Sequence, residues 1–253
     1  MADAQLQNVQ PIRPAATIIL VREADSSFEI FMLKRTSRAS FAGGMYVFPG
    51  GKVDSDDHLH KYDAYRYGPT DQQAAQVKAL GDEWRGYWIA AIRETFEEAG
   101  LLLAYANDAL VSFDTPKQRA RFDAYRPQIH AGSISLLDIC CDENLRLAVD
   151  QIHFYNRFVT PFGRPRRFDT RFFIASAPQA QIGKHDEKET VDSIWISPQD
   201  ALVRNKAKEF DLMNVTRMQL EWLSVYDNKA AVLEMAAAQQ QFLIRRPVLP
   251  PGT

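Results

Sequence analysis

Arg93-Glu94-Thr95-Phe96-Glu97-Glu98-Ala99-Gly100-Leu101 sets three glutamates within five positions and closes them with a glycine. From about Asp82 to Ala99, Trp84, Tyr87, Trp88, Ala91, Ile92, Thr95 and Phe96 recur at three- and four-residue steps, which predicts a helix. Gly100 is a natural residue to end it. At roughly 100° per residue, Glu94, Glu97 and Glu98 fall within an arc of about 100°. Residues three and four apart are neighbours, so the three carboxylates repel one another. The bland reading is a solvated acidic face. The functional reading is a hard divalent cation, because Mg²⁺ and Mn²⁺ take carboxylate oxygens. Arg93, four positions before Glu97, can orient or neutralise it. At roughly 6% frequency each, an Arg, three Glu and a Gly at fixed spacing arise by chance about once in 10⁶ positions, which weighs against the bland reading. The turn Phe48-Pro49-Gly50-Gly51 upstream adds independent support.

These residues resemble the Nudix hydrolases, whose box reads Gly, five residues, Glu, seven residues, then Arg-Glu-aliphatic-x-Glu-Glu-x-Gly-aliphatic. Gly51 fits the first glycine, and Arg93, Glu94, Glu97, Glu98, Gly100 and Leu101 fit the second half; Thr95 stands where an aliphatic residue is usual. Asp57 stands at the first glutamate, with Asp54 and Glu83 as alternatives for that supporting role. The gap from Asp57 to Arg93 holds 35 residues (58–92), 28 more than the box, so the box is split by an insertion. FVTPFGRPRRFDTRFFIA (158–175) and ETVDSIWISPQDAL (189–202) are similar to a long-insertion branch of the family that includes a peroxisomal coenzyme A diphosphatase. The likeness runs over roughly residues 12–225.

The resemblance implies an α/β (α+β) fold, a Nudix-type α/β/α sandwich with an insertion inside the box (about 58–82) and a helical C-terminal extension. It implies Glu94, Glu97 and Glu98 as ligands of Mg²⁺ or Mn²⁺, with Arg93, Glu94 and Glu97 in the catalytic set. A further glutamate after the box serves as ligand or base in the family; Glu189 is the first candidate here and Glu187 the second, against the reading of both as loop charges. Gly50 and Gly51 would face the substrate. Guanidinium groups bind phosphate in two-point fashion. Arg35, Arg38 and Arg167 are the leading candidates for this, with Arg164, Arg166 and Arg171 behind them, although a solvated loop arginine is the commoner reading of any single one. Arg35, Gly44 and Phe48 to Gly51 fit an upstream signature of coenzyme A-cleaving relatives, while Thr36 and Ser40 depart from it. The motif of NADH-cleaving relatives is absent. Pro116 has the spacing seen in ADP-ribose-cleaving relatives, but a helix start explains it equally.

The bulk numbers are ordinary for a soluble globular protein. The chain has 253 residues, 46% hydrophobic and 25% charged, with 30 basic against 32 acidic residues. That balance lacks the basic excess of a nucleic-acid binder. No apolar run approaches the roughly 20 residues of a spanning helix. The adjacent Cys140 and Cys141 form neither a disulfide framework nor a CxxC site and suggest reduced thiols in the cytoplasm. His58 and His60 form an HxH without a third ligand and read as surface residues. Tyr62, Tyr65, Tyr67 and Trp84 suit packing under a long loop better than a lid.

Along the chain, residues 1–14 read as a flexible leader, 15–225 as the Nudix domain, and 226–253 as a helix end with a proline-rich tail. Ala15–Val21 and Glu29–Lys34 predict a hairpin, Tyr46–Phe48 a short strand stopped at Pro49, and 52–80 an irregular stretch. Leu101–Ala104 predicts a strand, and Thr115-Pro116 starts a helix to about Tyr125. Phe154–Thr160, Phe168–Ala175 and Ser193–Ile196 predict strands, Pro198 a short helix, and Val215–Gln240 one long amphipathic helix. The sequence thus points to metal-dependent hydrolysis of a phosphoanhydride in a nucleoside-diphosphate-linked small molecule, coenzyme A or acyl-coenzyme A being the lead. ADP-ribose, NADH or a nucleotide sugar, and a non-catalytic ligand-sensing module, are the alternatives. A homodimer stays open.

Overall fold

The computed structural model describes residues 11–247 apart from 26, 40 and 187. Its centre is a mixed sheet of β11 (Thr190–Ile196), β2 (Ser27–Arg35), β1 (Ile12–Ala24), β10 (Arg167–Ser176), β9 (Ile152–Val159) and β12 (Leu243–Arg245), in that order. β3 (Tyr46–Val47) pairs with β2, and β4 (Gly50–Lys52) pairs with β1. β1 and β10 run parallel, with Ala16 opposite Arg171 and Ile18 opposite Phe173.

Alternation along β1 sorts the two cores, because successive side chains leave a strand on opposite faces. Ala16, Ile18 and Leu20 join Trp88, Ile92 and Phe96 of α2 (Trp84–Ala99) on one face. Ile19 and Val21 join the other face, covered by α5 (Pro198–Lys206), α6 (Asn214–Leu223) and α7 (Lys229–Ala238). This is the α/β/α layering expected. Trp88 is fully buried and its indole N–H donates to the Ile152 carbonyl at 3.0 Å, so the largest side chain of α2 leaves no unpaired polar atom. Burying one such side chain stabilises the fold by about 1.5–3 kcal/mol.

The α2 side of the sheet carries further elements. Before α2 come β5 (Arg66–Tyr67) and α1 (Ala74–Leu80). After it come β6 (Ala104–Ala106), β7 (Ala109–Leu110), α3 (Pro116–His130), α4 (Leu136–Asp142) and β8 (Arg146–Ala148). β5, β8, β6 and β7 form a second, small sheet.

Several expectations are corrected. Residues 12–14, assigned to the leader, belong to β1, where Ile12 to Pro14 pair with Arg167 to Asp169; residues 1–10 lie outside the described ones. Gly50 and Gly51 do not only stop a strand: they open β4, because β1 offers them an antiparallel partner. The stretch 52–80 is ordered by three short 3-10 turns and α1, and Tyr62 is buried beneath them, as packing rather than a lid. Leu101–Leu103 is buried but extended without a ladder, and the strand starts at Ala104. α3 runs five residues past Tyr125, to His130, through Pro127. The long helix from Val215 is two helices, broken at Asn228, whose side chain accepts the Ala231 N–H and caps α7. His58 is half-buried rather than on the surface, its ring lying against Gly86 of α2. Leu243–Arg245 of the tail adds a strand to β9, while 248–253 lie outside the described residues. Cys140 is buried and Cys141 exposed, both free. No helix among the described residues is long and apolar enough to cross a membrane.

Candidate active site

α2 lies over β1 and β4, which sets its glutamates against the Gly50-Gly51 backbone. A Cβ at Gly51 would stand 2.3 Å from Glu94 Oε1, so only glycine lets that carboxylate in. Glu98 Oε2 accepts the Gly50 N–H at 3.0 Å. The glycines of the upstream turn therefore form the floor on which two box glutamates rest.

Arg93 ties the cluster together. Its Nη1 reaches Glu94 Oε1 at 3.0 Å and Glu97 Oε1 at 3.1 Å. Its Nε and Nη2 meet the two oxygens of Asp57, each at 2.9 Å, and Nη2 also donates to the Lys52 carbonyl at 2.8 Å. Asp57 thus takes the supporting place in the box, with Asp54 a longer second contact at 3.5 Å. The folding-back of 52–57 brings Asp57 to Arg93 despite the split in the box.

Arg35 closes the opposite side. Its Nη1 lies 4.0 Å from Glu98 Oε1 and its Nη2 donates to Glu189 Oε2 at 3.2 Å. Its Nε is buried without a partner. Glu189 comes to this place because Thr190 of β11 pairs with Arg35 of β2, and the Glu189 carbonyl accepts the Thr36 N–H at 2.9 Å. Asp186 steadies the approach by accepting the N–H groups of Lys188, Glu189 and Thr190.

The carboxylates outnumber the guanidinium groups, and burial makes the excess felt. Glu94 is pushed up to about 7 by burial, against the pull of Arg93 and with the push of Glu97. Glu97 is raised by burial against Arg93. Glu98 is raised well above the ordinary range by burial and then by the charge of Glu94, opposed by the Gly50 N–H and Arg35. Asp57 is also raised by burial, which outweighs Arg93. Desolvated, crowded oxygen donors with surplus negative charge suit a hard divalent ion. Among the described residues, no three acidic, imidazole or thiol side chains meet at metal-ligating spacing as they stand. The reason is local: Arg93 engages Glu94 and Glu97, and Glu98 is turned to Gly50.

The remaining sequence candidates scatter. Arg38 is exposed on the loop after β2, and Arg164 and Arg166 are exposed on the loop before β10. Arg167 lines a separate cavity of about 500 Å³ with Ile12, Arg157, Val159, Phe162 and Asp169; no box residue lines it. Arg171 is buried, paired with Asp169 at 2.8 Å and set over the Tyr87 ring. Pro116 is in the first turn of α3 behind the Thr115 cap, a helix-starting role. Ser40 and Glu187 lie outside the described residues. Sequence reasoning missed Arg126 of α3, which reaches the C-terminal carbonyls of α2. No spacing rule links the two positions.

Comparison with known proteins identifies the family and the fold. The family model described as the NUDT19 Nudix domain matches residues 64–223. Acyl-coenzyme A diphosphatase NUDT19 of Xenopus laevis is 25% identical over 208 residues, covering 70% of this chain and 54% of that protein. Putative nudix hydrolase 7 of Caenorhabditis elegans is 28% identical over 203 residues, covering 79% of this chain and 56% of that protein. The chain therefore spans little more than half the length of these relatives. The crystal structure of a NUDIX hydrolase from Alicyclobacillus acidocaldarius superposes with a TM-score of 0.70 at 24% identity, over 89% of this chain and 96% of that one. That likeness concerns the fold.

Proposed function

The chain belongs to the NUDT19 Nudix domain family, and we propose that it is a pyrophosphohydrolase that splits the phosphoanhydride of a nucleoside-diphosphate-linked small molecule, with coenzyme A or acyl-coenzyme A as the leading substrate. The observation that carries this reading is the seating of Glu94 and Glu98 on the Gly50-Gly51 floor, beside the Arg93–Asp57 pair and facing Arg35 and Glu189.

Nudix hydrolases generally need divalent metal ions. Here Glu94, Glu97 and Glu98 would hold Mg²⁺ or Mn²⁺. The ion supplies neutralisation of the diphosphate oxygens and a lower pKa for water. The chain's own residues do the rest. Arg93 keeps Glu94 and Glu97 aligned, and Asp57 keeps Arg93 in place. Arg35, between Glu98 and Glu189, would supply the positive charge that a phosphate oxygen meets there. Glu189, half-exposed beside Arg35, would take the proton of the attacking water. Positioning and charge stabilisation carry most of the rate in phosphoryl transfer.

The relatives named acyl-coenzyme A diphosphatase and the partial upstream signature favour coenzyme A compounds. The free cysteines fit a reducing compartment such as the cytoplasm. The test is a panel of coenzyme A, acyl-coenzyme A, ADP-ribose, NADH and nucleotide sugars with Mg²⁺ or Mn²⁺, read by product mass. Two phosphomonoester products from coenzyme A compounds, formed faster than from the other members, are expected. Tight binding of a panel member without turnover would overturn the enzymatic reading in favour of a sensing module.

A further inference from the structure

The last four carbonyls of an α-helix have no partner within it and need one from elsewhere. For α2 these belong to Phe96, Glu97, Glu98 and Ala99, the turn that carries two of the box glutamates. All four are satisfied. The Phe96 carbonyl accepts the Gly100 N–H at 2.9 Å, and the Ala99 carbonyl accepts the Lys184 N–H at 2.9 Å. The two between them go to one side chain, Arg126 of α3. The Glu97 carbonyl accepts Nε at 3.2 Å and Nη2 at 3.1 Å, and the Glu98 carbonyl accepts Nη2 at 3.0 Å. Nη2 also donates to the Lys184 carbonyl at 2.9 Å.

From this geometry we infer that Arg126 is a positioning residue of the active site: it fixes the C-terminal turn of α2, which carries Glu97 and Glu98, against the backbone of Lys184. The inference rests on the reading of Glu97 and Glu98 as metal ligands. Three features make the clamp specific. A guanidinium is a planar fork, so one side chain serves three carbonyls at once, which an ammonium cannot do with the same geometry. Its positive charge sits at the negative end of the helix dipole. It is also held in place, since Phe122, one turn earlier on α3, packs edge-on to Phe96 at 6.4 Å and stacks on Phe113 at 4.7 Å. Gly100 completes the fit, because a Cβ there would come within 3.1 Å of Arg126 Nη1. The inserted α3 thereby belongs to the catalytic architecture.

The experiment compares the wild-type chain with Arg126→Ala and Arg126→Gln, and with Lys117→Ala as a charge-removal control on the exposed side of α3. Mn²⁺ alone is titrated and followed by the electron paramagnetic resonance of the free ion, while circular dichroism verifies the fold. Groups that orient metal ligands are worth about 10- to 100-fold in metal affinity, so Arg126→Ala should weaken Mn²⁺ binding by that factor and Lys117→Ala should not. The kcat should fall with little change in KM, and added guanidinium ion should restore part of the affinity. Should the alanine variant fail to fold, Arg126→Gln is read in its place; one amide cannot serve three carbonyls, so the same weakening is expected. Wild-type Mn²⁺ affinity in a folded variant overturns the proposal. A wild type that binds Mn²⁺ yet cleaves no diphosphate would sink the hydrolase reading and leave this one standing.

Discussion

Asp57 and Arg93 stand 36 positions apart in the chain and meet in a two-point ion pair, both contacts 2.9 Å, with side chains only 2% and 11% exposed. The pair joins the two halves of the split box. Arg93 spends its third nitrogen on Glu94 and Glu97, so the aim of those carboxylates depends on a residue from the far side of the insertion.

Asp57→Asn should therefore cost stability as well as activity. The amide gives up the charge-assisted contacts to Arg93, which stays paired with Glu94 and Glu97, so a loss of about 1.5–3 kcal/mol is expected. Denaturant unfolding would read this, and Asp54→Asn, whose contact to Arg93 is longer and more exposed, should cost less. Equal losses in both variants would contradict the assignment of Asp57 as the support of Arg93.

Glu97→Gln and Glu98→Gln keep size and remove charge. If these residues hold the divalent ion, each should lower kcat/KM by about 100-fold or more, because the stabilisation a metal supplies amounts to several kcal/mol. Steady-state kinetics at saturating Mg²⁺ decide it. Unchanged turnover in both would refute their role as ligands.

The two adjacent glycines should separate stability from chemistry. A Cβ at Gly50 would lie 2.4 Å from the Ala16 carbonyl oxygen and 2.6 Å from Thr17 Cα, which are backbone and cannot give way. Gly50→Ala should destabilise the fold by about 3 kcal/mol, at the upper end for overpacking. A Cβ at Gly51 would meet the end of the Glu94 side chain, which can swing aside. Gly51→Ala should fold nearly as well as the wild type yet lose about 100-fold in rate, the cost of misplacing a catalytic group by an ångström. Melting temperature and kcat/KM measured on both variants check the contrast.

The raised carboxyls give the metal-free protein a distinctive pH dependence. Glu94 sits at about 7 in the fold against an ordinary 4.5. Between those values the folded chain holds more protons than the unfolded one, so stability falls as pH rises. With EDTA present, the denaturant midpoint should be higher near about pH 5 than near about pH 8, and Mg²⁺ or Mn²⁺ should raise it most at the higher pH by binding the folded state. His153, held down by burial, works the other way, so the wild type is compared with Glu94→Gln; equal pH slopes in the two would contradict the assignment to Glu94.

The sequence by itself determined what is local. The three-four rhythm of Trp84, Trp88, Ile92 and Phe96 specified α2, and the same rhythm put Glu94, Glu97 and Glu98 on one side of it, because helical neighbours are a matter of spacing alone. The hairpin of β1 and β2 and the pair β9 and β10 were legible in the same way, from alternation. The tertiary structure decided everything that joins distant segments. Nothing in the spacing tells Asp57 from Asp54 or Glu83 as the partner of Arg93, assigns Gly50 and Gly51 to a strand under Glu94, or carries Arg126 to the end of α2. It likewise sent Arg167 to a cavity that no box residue lines. Those contacts exist only once the sheet has closed and the insertions have packed on its helix face, since the chain between them sets how far apart two residues can be but not whether they meet.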